Sequence, residues 1–192
     1  MQADNVIKWL LLNDGQKRTS TIGGNEMEGK QVLVVFHSAS GNTRKVAEAI
    51  AEALAADIEQ IREVHPRPVD IKGSGLGNLL NMGRVVFAVR AGRATPIEEA
   101  QHDPADYGLI VVGTPVYAGS VPGPVRAYLE TYRPNFREVA FFCTGEDPNN
   151  AGVFERLEEI CGKAPRAVCA FHAPQVKAGE FLPQVEEFVA VL

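Results

Sequence analysis

The chain is poor in cysteine. Cys143, Cys161 and Cys169 are its only three, an odd number with no Cys-x-x-Cys spacing. They make neither a disulfide framework nor a zinc signature, and a reducing cytosol is the expected compartment. Long apolar runs are also missing. Stretches such as Val32–Phe36 and Leu109–Val112 fall far short of the ~18 residues of a spanning helix, so no membrane association is expected. The N-terminal run Val6–Leu12 contains Lys8 and Trp9, with no basic region before it and no small-residue cleavage site after it; it makes a poor signal peptide. Basic excess is absent too: 19 Lys and Arg stand against 24 Asp and Glu, a formal net charge of -5. A nucleic-acid partner, which needs a basic face, is not expected, although a local basic patch stays open. The four histidines, His37, His65, His102 and His172, form no HExxH or i,i+4 pair, so no metal site is expected. No internal repeat is visible.

What remains is an ordinary globular composition. Of 192 residues, 45% are hydrophobic and 22% charged, which suits one core and excludes a mostly disordered chain, a collagen and a coiled coil. Residues 1–28 differ from the rest: Asn13-Asp14-Gly15 signals a turn, and Thr19–Gly24 is small, polar and aperiodic. This segment reads as a poorly ordered tail or a weakly docked helix. Cloning-derived residues, or an upstream start with Met27 as natural initiator, fit it equally. Residues 29–192 read as one domain.

From Lys30 the pattern is regular. Gln31–Phe36 is a β-branched run typical of a strand buried on both faces. Val46, Ala49, Ile50, Ala53 and Leu54 recur at helical spacing, with Arg44, Lys45, Glu48 and Glu52 between them. Further strands are expected at Asp57–Ile61, Gly108–Gly113, Glu138–Cys143 and Ala167–Phe171. Helices are expected at Pro122–Tyr132, Asn150–Cys161 and Leu182–Leu192, the last with Val185, Phe188, Val189 and Leu192 on one face. Strands alternating with helices imply right-handed βαβ units and a parallel sheet. Arg62–Tyr107 is too long for one connection; a loop, one helix near Leu76–Ala91 and a second loop are expected. Within it, Gly73-Ser74-Gly75-Leu76-Gly77 continues to Asn78 where a dinucleotide fingerprint needs Gly or Ala, so a loop and helix start is the better reading.

The informative segment is Phe36-His37-Ser38-Ala39-Ser40-Gly41-Asn42-Thr43, where a buried strand meets a helix through a small, hydroxyl-rich turn. The first amides of a helix lack intrahelical partners and the macrodipole is positive there, so the turn is an anion site, with phosphate the usual guest. Ser38, Ser40 and Thr43 add hydroxyls, Asn42 an amide, and Gly41 permits close backbone approach. A plain N-cap is the bland alternative. The Walker lysine is missing: Asn42-Thr43 follows Gly41, which argues against a P-loop NTPase. Neutral donors suit a phosphate monoester held rather than hydrolysed.

This segment resembles the Thr/Ser-x-Thr/Ser-Gly-Asn-Thr phosphate loop of flavodoxins. Gly113-Thr114-Pro115-Val116-Tyr117-Ala118-Gly119, followed by Pro122-Gly123-Pro124-Val125-Arg126-Ala127-Tyr128-Leu129, is similar to the loop and helix after their third strand. The resemblance runs from about Lys30 to Leu192. It implies an α/β flavodoxin-like three-layer sandwich, a five-stranded parallel sheet of order 2-1-3-4-5, with FMN at the carboxyl ends of the strands; flavodoxin is the standard example of that switch-point rule. The implied cofactor residues are Ser38, Ala39, Ser40, Gly41, Asn42 and Thr43; Thr114, Pro115, Val116, Tyr117, Ala118 and Gly119; and Cys143, Thr144 and Gly145. Three loops, Ser38–Thr43, Thr114–Gly119 and Thr144–Asp147, are small and polar, and Tyr117 can stack on a flat heteroaromatic ring; packing within the loop is the alternative.

Two departures from the family matter. Trp9 lies in the tail, so no tryptophan flanks the ring. The third loop, Cys143-Thr144-Gly145-Glu146-Asp147-Pro148, has no tyrosine, so one flavin face is expected to be open to a substrate or partner. Cys143 is expected at the mouth of the site, without the base and orienter a nucleophile needs. Cys161 and Cys169 read as core residues. His37 and His172, at strand ends, could tune flavin protonation or simply hydrogen-bond. Glu98, Glu99, Asp103 and Asp106 precede the third strand, while Glu146 and Asp147 lie beside the proposed flavin. Acids there would disfavour a negatively charged reduced ring or dock a basic partner; a solvated rim is the alternative. Three functions stand: a cytoplasmic FMN-binding electron carrier serving a redox partner protein; an FMN-dependent NAD(P)H oxidoreductase acting on quinones or similar small acceptors; and a non-redox binder of a phosphorylated ligand. Oligomeric state and electron donor are not legible.

Overall fold

The computed structural model describes residues 31–64, 95–147 and 150–192. The β-branched runs form five strands: β1 Val32–Phe36, β2 Asp57–Gln60, β3 Leu109–Pro115, β4 Glu138–Gly145 and β5 Val168–His172. All pair in parallel, in the order β2-β1-β3-β4-β5, so the expected sheet is the observed one. Helices α1 Asn42–Leu54, α2 Gly123–Tyr132, α3 Ala151–Cys161, α4 Ala173–Ala178 and α5 Leu182–Val189 follow the strands. Short α4 and the single-turn 3₁₀ segments Pro104–Asp106 and Arg133–Asn135 carry too few residues for a periodic signal.

Strand alternation divides the core. Val34 and Phe36, Leu109 and Val111, Ala140 and Phe142, and Cys169 and Phe171 form one cluster with Val46, Ile50, Val185 and Phe188 of α1 and α5. The intervening Leu33, Val35, Ile110, Val112 and Phe141 are equally buried, so the central strands have no wet face. That is why they read as continuous apolar runs. Cys161 and Cys169 are buried, as expected.

The described residues belong to one compact unit. The expectations for residues 1–28, for a helix near 76–91 and for the 73–77 glycine motif lie outside the described residues. What can be followed of the long connection is its two ends. Residues 62–64 and 96–98 pair as an antiparallel ribbon: the Glu98 amide donates to Arg62 O at 2.9 Å and the Val64 amide to Pro96 O at 3.1 Å. The chain then runs along edge strand β2. Buried Glu59 accepts from the amides of Gln101 (2.8 Å) and His102 (3.1 Å), and lies 3.2 Å from His102 Nδ1. Tyr107 donates its hydroxyl to Asp57 at 2.7 Å. These contacts tie residues 101–107 to the side chains of β2.

Candidate functional site

β1 ends at buried Phe36, and the next amide, that of His37, donates to Gly113 O of β3 at 3.1 Å. His37 Nδ1 lies 3.3 Å from Ile61 O. A carbonyl only accepts, so Nδ1 carries the proton and Nε2 keeps its lone pair. Burial holds this ring below the usual histidine pKa. Gly41 follows at φ 89°, with open space where a Cβ would stand, so glycine is needed there for backbone conformation rather than for room. Ser38 Oγ accepts from the amides of Gly41 (3.1 Å) and Arg44 (3.3 Å), and the Lys45 amide makes the first helical bond, to Gly41 O. Part of the cradle is therefore capped internally. The amides of Ser40, Asn42 and Thr43 have no acceptor among the described residues. The first turn of α1 has no acidic residue and carries exposed Arg44 and Lys45. Cations at the positive end of a helix oppose its dipole; an anion bound there would reverse that penalty.

The Thr43 hydroxyl meets a partner from β4. It is 1% exposed, and its Oγ1 lies 2.8 Å from Thr144 Oγ1, also buried.

In the second loop, Thr114 and Pro115 belong to β3 and are buried, with the Thr114 hydroxyl donating to Pro115 O at 3.0 Å. The Val116 amide donates to Thr144 O at 2.9 Å, securing this loop to β4. Tyr117 and Ser120 then exchange backbone bonds of 3.3 and 3.0 Å around Ala118 at φ 49° and Gly119 at φ 73°. Two left-handed residues make a type I′ turn. Placing alanine in one of them costs ~1–2 kcal/mol, strain of the kind that gathers at functional loops. Tyr117 is half-buried. Burial, and then the Glu63 carboxylate, raise its hydroxyl pKa. Glu63 acts on His37 as well. The sequence reading did not single out this charge, because its action on the two depends on how the long connection leaves β2.

The third loop begins later than expected. β4 runs through Gly145, and Cys143 is 0% exposed. The thiol lies in the core rather than at the mouth, and burial pushes its pKa far up. Thr144 is buried as well, and a Cβ on Gly145 would stand 3.3 Å from Val116 Cβ, so glycine lets the second and third loops meet at their bases. Beyond it, Glu146 and Asp147 are exposed. His172 Nε2 donates to Glu146 O at 3.1 Å, Lys177 pairs with the Glu146 carboxylate at 3.0 Å, and the Asn150 side-chain Nδ2 donates to Asp147 O at 2.6 Å. His172 thus braces the third loop from β5. Of the other acids, Asp103 accepts from Ala105 N at 3.0 Å and caps the 3₁₀ turn before β3; Glu98 and Glu99 are exposed.

The three loops leave the carboxyl ends of β1, β3 and β4, which are neighbours in the sheet. A hollow of about 340 Å³ lined by residues 137–139 and 163–166 lies at the opposite, amino ends of β4 and β5 and has no part in this site. Among the described residues no group of side chains could hold a metal, and no helix is long and apolar enough to cross a membrane.

Residues 31–169 match the family described as flavodoxin. No curated protein matches the chain. Among solved structures it is similar to a flavoprotein from Lactobacillus acidophilus in complex with FMN, at 20% identity and a TM-score of 0.59, covering 78% of this chain and 98% of that one. The apo-form of the flavoprotein from the same organism is similar at 23% identity and a TM-score of 0.52, covering 78% and 96%. Oxidised flavodoxin 2 from Bacillus cereus is similar at 14% identity and a TM-score of 0.50, covering 84% and 96%. Likeness at such identities concerns the fold.

Proposed function

The chain belongs to the flavodoxin family, and from that premise we propose that it binds FMN and carries electrons between redox partners. The observation that carries this reading is the start of α1: three amides without acceptors, in a turn with no lysine and no acid in the helical turn that follows. The donors fit a phosphate monoester. The amides of Ser40, Asn42 and Thr43 and the Asn42 side chain would hold it. Ser38, whose lone pairs serve two amides, keeps its proton to donate. Residues 116–119, with Tyr117, and the backbone at residues 145–146 would hold the ring. When bound, FMN supplies transfer of one or two electrons, while the protein supplies position and electrostatics. The test is direct. The purified chain, loaded with FMN and desalted, should keep a yellow chromophore and bind FMN more tightly than riboflavin. A colourless protein with no flavin affinity overturns the reading.

A second reading, an FMN-dependent NAD(P)H oxidoreductase acting on quinones or similar acceptors, is favoured by one observation. Residues 144–151 contain no aromatic side chain, so nothing in that loop would cover the second face of the ring. Sustained NAD(P)H oxidation by the loaded protein with a quinone would favour this reading, and its absence the carrier.

A further inference from the structure

Thr43 and Thr144 are 101 residues apart in sequence, yet their hydroxyl oxygens lie 2.8 Å apart. Thr43 is in the first turn of α1. Thr144 is in β4, opposite Pro115 of β3. Because β3 stands between β1 and β4, this bond reaches past one strand to join the first-loop helix to the strand that ends in the third loop. The side chains are 1% and 4% exposed, so water does not compete for the bond.

Two hydroxyls carry two protons. One lies between the oxygens. The other has no acceptor among the described residues, and a buried donor left unmet is costly. The geometry points to Thr144 as a positioning residue of the anion site, one that donates to Thr43 Oγ1, holds the first turn of α1 in place and leaves the Thr43 proton for a phosphate monoester. The opposite polarity would spend the Thr43 proton on Thr144 and turn a lone pair toward the anion. This inference rests on the phosphate-loop reading given above. An ordinary core hydroxyl pair is the alternative, and it makes a different prediction: loss of the pair would weaken every flavin alike.

The test uses the full chain and titrates FMN and riboflavin by flavin fluorescence against wild type, Thr144→Val and Thr144→Ser. Wild type should bind FMN more tightly than riboflavin. Thr144→Val should lose roughly ten-fold in FMN affinity, as expected for one hydrogen bond coupled to a charged group, with riboflavin affinity unchanged. Thr144→Ser should recover most of the loss. Riboflavin binding doubles as the folding control. Should the valine variant not fold, Thr144→Cys, a poor donor of similar size, takes its place with the same expectation. Undiminished FMN affinity in the valine or cysteine variant overturns the proposal. So does an equal loss for both flavins that serine does not rescue. If wild type itself binds FMN no better than riboflavin, the phosphate-loop reading falls and this proposal with it.

Discussion

Tyr128 is 1% exposed, and its hydroxyl has no hydrogen-bond partner among the described residues. The ring earns its burial by packing: it lies 4.8 Å from Tyr132 and 6.3 Å from Phe136, centroid to centroid. The oxygen adds only a desolvation penalty. Tyr128→Phe should therefore stabilise the protein by about 1 kcal/mol, read as a higher urea midpoint at unchanged slope. His37 gives the clearest pH dependence. Its pKa is depressed from 6.5, first by burial, so below that pH the unfolded chain binds a proton that the folded ring resists. Stability is complete above the ordinary histidine pKa and falls as pH drops through it. His37→Asn keeps a donor for Ile61 O without a titrating ring. The urea midpoint of this variant should fall less between pH 7.5 and 5.5 than that of wild type. Tyr117→Ala should weaken FMN and riboflavin together and shift the bound flavin spectrum, whereas Asn42→Ala should weaken FMN far more than riboflavin, because only FMN offers a phosphate.

At the scale of elements, α1 ends in a Schellman arrangement. The Ala56 amide donates to Ala51 O at 2.9 Å and the Ala55 amide to Glu52 O at 3.2 Å, with Ala55 at φ 48°. Glycine takes this conformation without the Cβ penalty, so Ala55→Gly should stabilise the protein by about 0.5–1 kcal/mol, measurable as a raised thermal midpoint. β3 gives the opposite case. A Cβ on Gly113 would lie 2.1 Å from Phe142 Cζ, and that ring is fully buried and stands edge-on to Phe171 at 6.1 Å. Gly113→Ala should cost about 3 kcal/mol, and shortening Phe142 to Leu in the same chain should recover part of it. The same strands show where periodicity misleads. Thr114–Pro115 and Cys143–Gly145 have the composition of loops, but Thr114 pairs with Cys143 and Pro115 with Thr144. Neighbouring strands supply the hydrogen bonds that make them strand, and no property of either segment alone contains that fact.

At the scale of the molecule, the parallel sheet was legible because burial on both faces leaves unbroken apolar runs such as Leu33–Phe36 and Ile110–Val112, and these alternate with helical periodicity. The order β2-β1-β3-β4-β5 was implied by likeness to flavodoxins rather than by pattern. Within the candidate site, Ser38, Gly41 and the free amides around them were legible, since a strand, a small polar turn and a helix of this composition define the geometry locally. The action of Glu63 on Tyr117, the bracing of the third loop by His172, the burial of Cys143 and the Thr43–Thr144 bond were not, because each joins segments far apart in the chain. Residues alone determine which way a short stretch bends, which face it hides and which amides it leaves unpaired, since those follow from sterics and local hydrogen bonding. Which hydroxyl meets which, and which loop residue is exposed, was decided only when strands distant in sequence came to lie about 5 Å apart, a distance that packing sets and sequence separation does not.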